Sequence, residues 1–315
     1  MSQVGHVSQR FLLDATCAPS TLVKYKHAVR EFIVWAEEYQ VTVTTVEQMD
    51  DALTDYFHDM YETNDGSGKG VAAATLYGVV KFLPRLKNKL PTAELSLRGW
   101  NRKHPAVSYP PMTWELAVVA SVQLVRHGWL KHAIGVLLAF DCFLRVGELV
   151  GLRKSDVADH GDVRVGSTHR RMLIRLRQTK TGVNQWVEVE STEVQWLIRH
   201  LVRSCPTGET KLFGFSAYQF RSRFKEICSE LGLSTSYVPH SLRHGGATRW
   251  HLQGKFIEDI LLRGRWSSNK SARRYIQAGR AMLLGVTVPS TIATVGHILS
   301  ANILQSFFFS LSQSH

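Results

Sequence analysis

Nearly the whole chain is spaced for helices, and one short stretch is not. Met172-Leu-Ile-Arg-Leu-Arg and Gln185-Trp-Val-Glu-Val-Glu alternate with period two on either side of Thr179-Lys-Thr-Gly. That pattern predicts one antiparallel hairpin, with a shorter strand expected before it at residues 163–165. A single hairpin cannot build a sandwich, a barrel or a parallel sheet. The expected fold class is mainly α with a small antiparallel β-sheet, the sheet lying in an α+β second domain.

The helical spacing runs through both halves. Thr21 is placed to cap a helix carrying Tyr25, Val29, Phe32, Ile33 and Ala36 on one face, and Thr44 or Thr45 to cap one carrying Met49, Leu53, Tyr56, Phe57 and Met60. A third helix is expected over 71–83, after a Gly-rich loop at 64–70. That loop reads Gly-Ser-Gly-Lys-Gly but lacks the spacing and the preceding strand of a P-loop, so it reads as a connector. Residues 98–112 hold three prolines and a basic cluster without periodicity, which predicts a linker. Later helices are expected over 113–127, 130–144, 192–203, 216–231, 242–253, 257–262 and 271–284. The domains expected are 1–104, 105–284 and an apolar tail at 285–315 that serves assembly and is not needed for the monomer to fold.

Four scattered cysteines (Cys17, Cys142, Cys205, Cys228) form no CxxC pair, which argues against a disulfide scaffold or a Cys-based zinc site. The amino terminus has neither the basic start nor the apolar run of a signal peptide. No uninterrupted apolar run of membrane-spanning length occurs, and the uncharged tail is broken by Gly285, Pro289 and Gly296. An intracellular location with DNA, nuclear in a eukaryote, and no secretion are expected.

Charge narrows the partner. The formal net charge is +12, and residues 141–280 hold 24 Lys/Arg against 13 Asp/Glu, whereas the rest of the chain holds 14 against 13. Scattered basic residues usually make only a solvated face. A bias confined to one segment points instead to an acidic polymer, with nucleic acid first.

Four stretches within that segment could carry chemistry. Arg145 lies at the end of an apolar run, with Glu148 at i+3; alone this is an ordinary surface pair. Lys180 sits at the hairpin tip. His240 and Arg243, three apart near a helix start, share a face. His244 and His251 add a spacing that invites zinc, but HExxH is absent and no cysteine is near, so no metal is expected. Trp266 precedes Tyr275 by nine residues, and Arg273 and Arg274 adjoin the tyrosine. Together these residues supply one nucleophile and a ring of phosphate-oxygen donors. They include no carboxylate cluster for Mg²⁺. The set therefore points to phosphoryl transfer through a phosphotyrosine without metal, ATP or other cofactor.

These stretches resemble the tyrosine recombinases, also called the phage-integrase family, over roughly residues 21–280. The family's first box, Arg followed at i+3 by Glu or Asp and then Leu, is similar to Arg145-Val-Gly-Glu148-Leu149, and its hairpin lysine to Lys180. Its H-x-L-R-H-x-x-A-T box is similar to His240-Ser-Leu-Arg243-His244-Gly-Gly-Ala247-Thr248. Its His-or-Trp position falls 23 residues after the second arginine and nine before the tyrosine, as Trp266 does here. Two departures stand out: Phe143-Leu144 where the family often has Gly-Leu, and Gly264-Arg265-Trp266 where Leu-Gly-His is common. The stretch from Arg263 to Ile276 also resembles recombinases of eukaryotic mobile elements.

The resemblance implies two-domain recombinase architecture, with a helical DNA-clamp domain and a catalytic domain around double-stranded DNA. It implies that Tyr275 attacks a scissile phosphate and leaves a 3′-phosphotyrosyl link and a free 5′-hydroxyl. Arg145 and Arg243 would hold the non-bridging oxygens, Lys180 would protonate the leaving oxygen, and His240 would serve as acid and base toward Tyr275. Trp266 would hydrogen-bond the phosphate, and Glu148 would support Arg145 and His240. A homo-tetramer would act on two DNA sites to integrate or recombine them. The alternative is a domesticated DNA-binding protein that keeps the fold without the chemistry; the filling of all six catalytic positions speaks against it. A type IB topoisomerase shares the chemistry, but the HxLRH box and the small first domain favour a recombinase.

Overall fold

In the computed structural model the two alternating segments pair as an antiparallel hairpin, β2 (Leu173–Gln178) with β3 (Val183–Glu188), in the register Ile174 to Val187 and Arg175 to Trp186. The structure describes residues 14–105, 109–160, 162, 171–179, 182–277, 279, 281–283 and 288–312. The strand expected at 163–165 lies outside them. The third strand described is β1 (Val157–Ala158), which pairs antiparallel with β2 to give the order β1-β2-β3. One face of β2 buries Ile174 and Leu176. The other carries Arg175 and Arg177, which both donate to the buried carboxylate of Asp156 at 2.7–3.1 Å. Among the described residues every other regular element is helical, so the fold is mainly α with a small antiparallel sheet.

Two compact units are present, Met1–Val107 and Ser108–His315. The first holds α1 (Pro19–Glu38), α2 (Val46–Thr63), α3 (Lys69–Phe82) and α4 (Pro91–Lys103). α1 packs on α3 and α2 on α4 around Phe32, Leu53, Phe57, Leu76 and Trp100. Thr45 caps α2 in a capping box with Gln48. α1 starts at Pro19, ahead of Thr21, because a proline fits the first helical turn.

The expected linker from residue 98 is corrected. α4 continues to Lys103 because its few apolar residues are well placed: Ala93 and Trp100 are buried, and the buried Asp50 accepts from the Thr92 and Ala93 amides at 2.9 Å. The Gly-rich loop is clipped to α4, with the Trp100 indole donating to the Gly66 carbonyl at 2.8 Å and the Lys69 ammonium to Asn101 Oδ1 at 2.9 Å.

The second unit contains α5 (Trp114–Arg126), α6 (Leu130–Asp141), α7 (Val146–Gly151), α8 (Thr192–Ser204), α9 (Ala217–Glu230), α10 (Pro239–Leu252), α11 (Ile257–Gly264), α12 (Asn269–Arg273), α13 (Ser290–Ala301) and α14 (Ile303–Ser312). Its core runs along α5 and α6 and takes in Ile174, Ile198, Phe220 and Leu242. α10 comes almost backbone to backbone with the segment before α5 at Gly245 and with α6 at Gly246. A Cβ at the first would strike the Met112 carbonyl, and one at the second the Phe140 carbonyl and the Phe143 ring.

The tail is a second correction. α13 and α14 both pack on α5, and Val288, Ile303 and Phe307 are buried in the main core, so these residues do more than wait for a neighbouring subunit. Among the described residues no helix is long and apolar enough to cross a membrane.

Candidate active site

The junction after α6 places the first arginine. The chain leaves α6 at Cys142, turns left-handed at Phe143 (φ 50°) and enters α7 with Arg145 as its N-cap. Arg145 therefore stands at a helix start, with its side chain 23% exposed. Glu148, one turn on, accepts from the Arg145 amide at 2.9 Å and from its guanidinium at 2.7 Å. Burial opposes the Glu148 charge, but Arg265, the Arg145 amide and the Arg145 guanidinium outweigh it, and its pKa is lowered.

α10 supplies the next two residues. Its first turn carries His240, half-buried, and Arg243, which no solvent reaches. The Arg243 guanidinium donates to the carbonyls of Phe143 and Gly264. It also lies over the rings of Trp266 and Tyr275, at 4.6 and 5.2 Å from their centroids. Burial, then the nearby cations Arg145 and Arg265, lower its pKa. Burial, Arg243 and Arg145 together push the His240 pKa down to about 4, so the imidazole is neutral at pH 7 and free to take a proton.

The last stretch closes over these groups. α11 ends left-handed at Arg265 (φ 54°), and the Trp266 ring lies directly against Gly264, where any side chain would collide with it. α12 is five residues long, and Tyr275 follows in a turn. The helix expected over 271–284 breaks there because Thr248 clips the turn. Its hydroxyl donates to the Tyr275 carbonyl and accepts from the Gln277 amide, both at 3.1 Å. The Tyr275 ring then lies 4.6 Å from Trp266, 4.6 Å from His244 and 5.3 Å from His240, centroid to centroid.

Five of the sequence-selected residues, Arg145, His240, Arg243, Trp266 and Tyr275, thus come together with Glu148 behind them. Lys180 lies outside the described residues. Two buried donors at the centre, Arg243 Nε and the Trp266 indole N–H, have no hydrogen-bond partner among the described residues. Cationic groups with spare donors beside a tyrosine suit an anion.

Three participants were given no role in the site by the sequence reading. His244 is the imidazole nearer to Tyr275, its Nδ1 accepting from Gln277 Nε2 at 3.0 Å. Thr248 sets the nucleophile's turn. Arg265 is buried and donates to Glu148 at 2.9 Å. The first two stand inside the H-x-L-R-H-x-x-A-T box, which was a signal for them; Arg265 gave only its departure from the common triplet. Both departures, Phe143 and Arg265, fall where the backbone is left-handed, the conformation glycine takes without strain.

The profile of the phage integrase family matches residues 122–281, just over half of the chain. Among solved structures, the Tn1549 transposon integrase in complex with transposon right end DNA aligns with TM-score 0.59 and 13% identity, covering 87% of this chain and 95% of that one. A lambda integrase dimer bound to a COC′ core site aligns with TM-score 0.56 and 14% identity, covering 86% and 75%. At such identities the likeness is one of fold. No curated protein matches the chain in sequence.

Proposed function

We propose that this chain, which belongs to the phage integrase family, is an active tyrosine-type site-specific DNA recombinase that cuts and rejoins duplex DNA through a 3′-phosphotyrosyl intermediate. The observation that carries the reading is the convergence on Tyr275 of a neutral imidazole, the Arg243 guanidinium and the Trp266 indole, the last two each with an unpartnered buried donor, with Arg145 beside His240. The duplexes bound by the integrases of similar fold and the net charge of residues 141–280 support double-stranded DNA as the substrate.

In the proposed step the Tyr275 oxygen attacks the scissile phosphorus and gives its proton to His240. The bond from phosphorus to the 5′-oxygen breaks, and Lys180 protonates the leaving oxygen. Arg145 and Arg243 take the charge that builds on the non-bridging oxygens, the term that most lowers such barriers. The Trp266 N–H adds a donor, and Glu148 holds Arg145. Attack by a 5′-hydroxyl on the phosphotyrosine reverses every bond change, so the strand is resealed without ATP. Four protomers on two DNA sites would complete an exchange.

The test is adduct formation on a nicked duplex, with and without EDTA. Wild type should give a protein–DNA adduct resistant to denaturant and indifferent to EDTA. Tyr275→Phe should bind DNA and give none. Adducts that need added Mg²⁺, or that persist in Tyr275→Phe, would refute the mechanism.

A further inference from the structure

We propose, on the recombinase reading above, that Arg265 is a positioning residue that sets both arginines of the site, Arg145 through Glu148 and Arg243 through the Phe143 carbonyl. The side chain of Arg265 is 3% exposed, and its guanidinium is spent on four acceptors. Nη1 donates to the carbonyls of Arg263 at 2.7 Å and Cys142 at 3.3 Å. Nη2 donates to the Phe143 carbonyl at 2.8 Å and to Glu148 Oε2 at 2.9 Å. These last two acceptors matter because each also holds another arginine. The same Glu148 carboxylate accepts from Arg145, and the same Phe143 carbonyl accepts from Arg243. Arg265 is therefore the one side chain, among the described residues, hydrogen-bonded to both of these shared acceptors.

The backbone argues in the same direction. Arg265 ends α11 at φ 54° and Phe143 turns the chain before Arg145 at φ 50°. A side chain in that region costs free energy that glycine would avoid. Here both side chains are used. The Phe143 ring is fully buried between Trp250 and Trp266, at 5.6 and 6.4 Å, and Arg265 bonds the Phe143 carbonyl. Two left-handed turns 122 positions apart in the sequence are thus tied to each other directly under the site. Three guanidinium groups, Arg145, Arg243 and Arg265, share one buried carboxylate, Glu148, so the cluster keeps a net positive charge for the substrate to meet.

The role is separable from bulk stability. A residue that only filled the core would change melting and leave the chemistry of the folded fraction alone. A residue that positions through these two shared acceptors should lower the cleavage rate at saturating DNA, leave binding unchanged, and add less than its full loss when Glu148 is already removed.

The experiment compares wild type, Arg265→Gly, Arg265→Lys, Glu148→Gln and the Arg265→Gly/Glu148→Gln double variant for adduct formation and duplex affinity. Arg265→Gly should slow adduct formation at saturating DNA by about 10²-fold, with affinity within about threefold of wild type. Arg265→Lys keeps the charge but cannot reach both shared acceptors, so it should recover only part of the rate; it carries the comparison if the glycine variant fails to fold. The double variant should lose less than the product of the two single losses. A wild-type rate in Arg265→Gly, or losses that multiply in the double variant, would overturn the proposal. Guanidinium ¹⁵N NMR reads the same placement without turnover: the Arg145 and Arg243 signals should shift or broaden in both Arg265 variants, and unchanged signals would also overturn it. If wild type forms no adduct, the recombinase reading fails, while the NMR comparison still decides whether Arg265 sets the two arginines.

Discussion

The Trp266 and Tyr275 rings lie 4.6 Å apart within one subunit, held there by a helix of only five residues and by the Thr248 clip. So short a tether keeps Tyr275 beside its own chain's Arg243, whose guanidinium lies over both rings.

Cleavage is therefore expected within each protomer. Tyr275→Phe lacks the nucleophile and Arg145→Ala lacks a phosphate clamp, so a mixture of the two contains no complete site. Mixing them should yield no adduct above the level of either alone. Adducts restored by mixing would mean that tyrosine reaches a neighbour's site.

The two arginines should fail differently. Arg145 is 23% exposed in its side chain, and Arg265 still holds Glu148 when Arg145 is gone. Arg145→Ala should abolish most cleavage, on the order of 10²–10³-fold, and cost at most about 1.5 kcal/mol of stability. Arg243→Ala removes a fully buried cation from two carbonyls and two rings. It should lose cleavage as completely and also lose about 2–4 kcal/mol in denaturant titration. Equal stabilities would contradict the burial difference.

His240 carries a pH signature. Its folded pKa is pushed down to about 4, while an unfolded imidazole titrates near about 6.5. Between those values the unfolded chain holds more protons, so this contribution to stability is complete above the unfolded value and is lost as pH falls through the window toward 4. The pH dependence of kcat/KM for cleavage, which reports the free protein, should keep its neutral base well below pH 6, with the acid limb near the depressed His240 value of about 4. An acid limb near about 6.5 would show that an ordinary, unperturbed imidazole governs the step.

Arg221 and Lys225 stand one turn apart on α9 and line, with Arg145 and His240, a cavity of about 510 Å³. Neither makes an ion pair among the described residues. Changing both to Gln should flatten the log–log salt dependence of duplex binding by about two counterions. Two neutralisations within residues 1–100 should change it less. Equal changes would remove the case for a localised DNA-facing field.

Truncation before α13 should unfold or weaken the monomer. It uncovers the surface that Ile303 and Phe307 now bury, and α13 approaches so closely that a Cβ on Gly296 would lie 2.8 Å from that of Glu115. A loss of at least about 3 kcal/mol is expected, and Gly296→Val alone should cost about 1–3 kcal/mol. A truncated protein that melts like wild type would return the tail to a role in assembly.

What was legible in the sequence follows from what periodicity records. The hairpin and the long amphipathic helices were legible because each repeats its apolar spacing several times. α7 was missed because six residues hold too few repeats, and α4 because its burial rests on Trp100 and a cap supplied by distant Asp50. The end of α12 was misjudged for a tertiary reason, since Thr248 takes the hydrogen bonds that a continuing helix would use. In the site, motif spacing pointed to residues that face one another. It could not point to Arg265, whose partners Glu148 and Phe143 lie more than a hundred positions away.

Gly245 and Gly246 bear on how such a protein can change. Gly246 lets α10 rest on the backbone of α6 at Phe140 and Gly245 on that of Met112, so the placement of His240 and Arg243 against the turn leading to Arg145 is set by two residues with no side chain at all. Exposed cations such as Arg221 and Lys225 can drift as a target sequence drifts, because each contributes one phosphate contact among several. The two glycines have no such latitude: a single added methyl would push apart the arginines that the chemistry needs close. A selection for altered DNA targets should therefore collect substitutions freely across the basic face and none at these two positions.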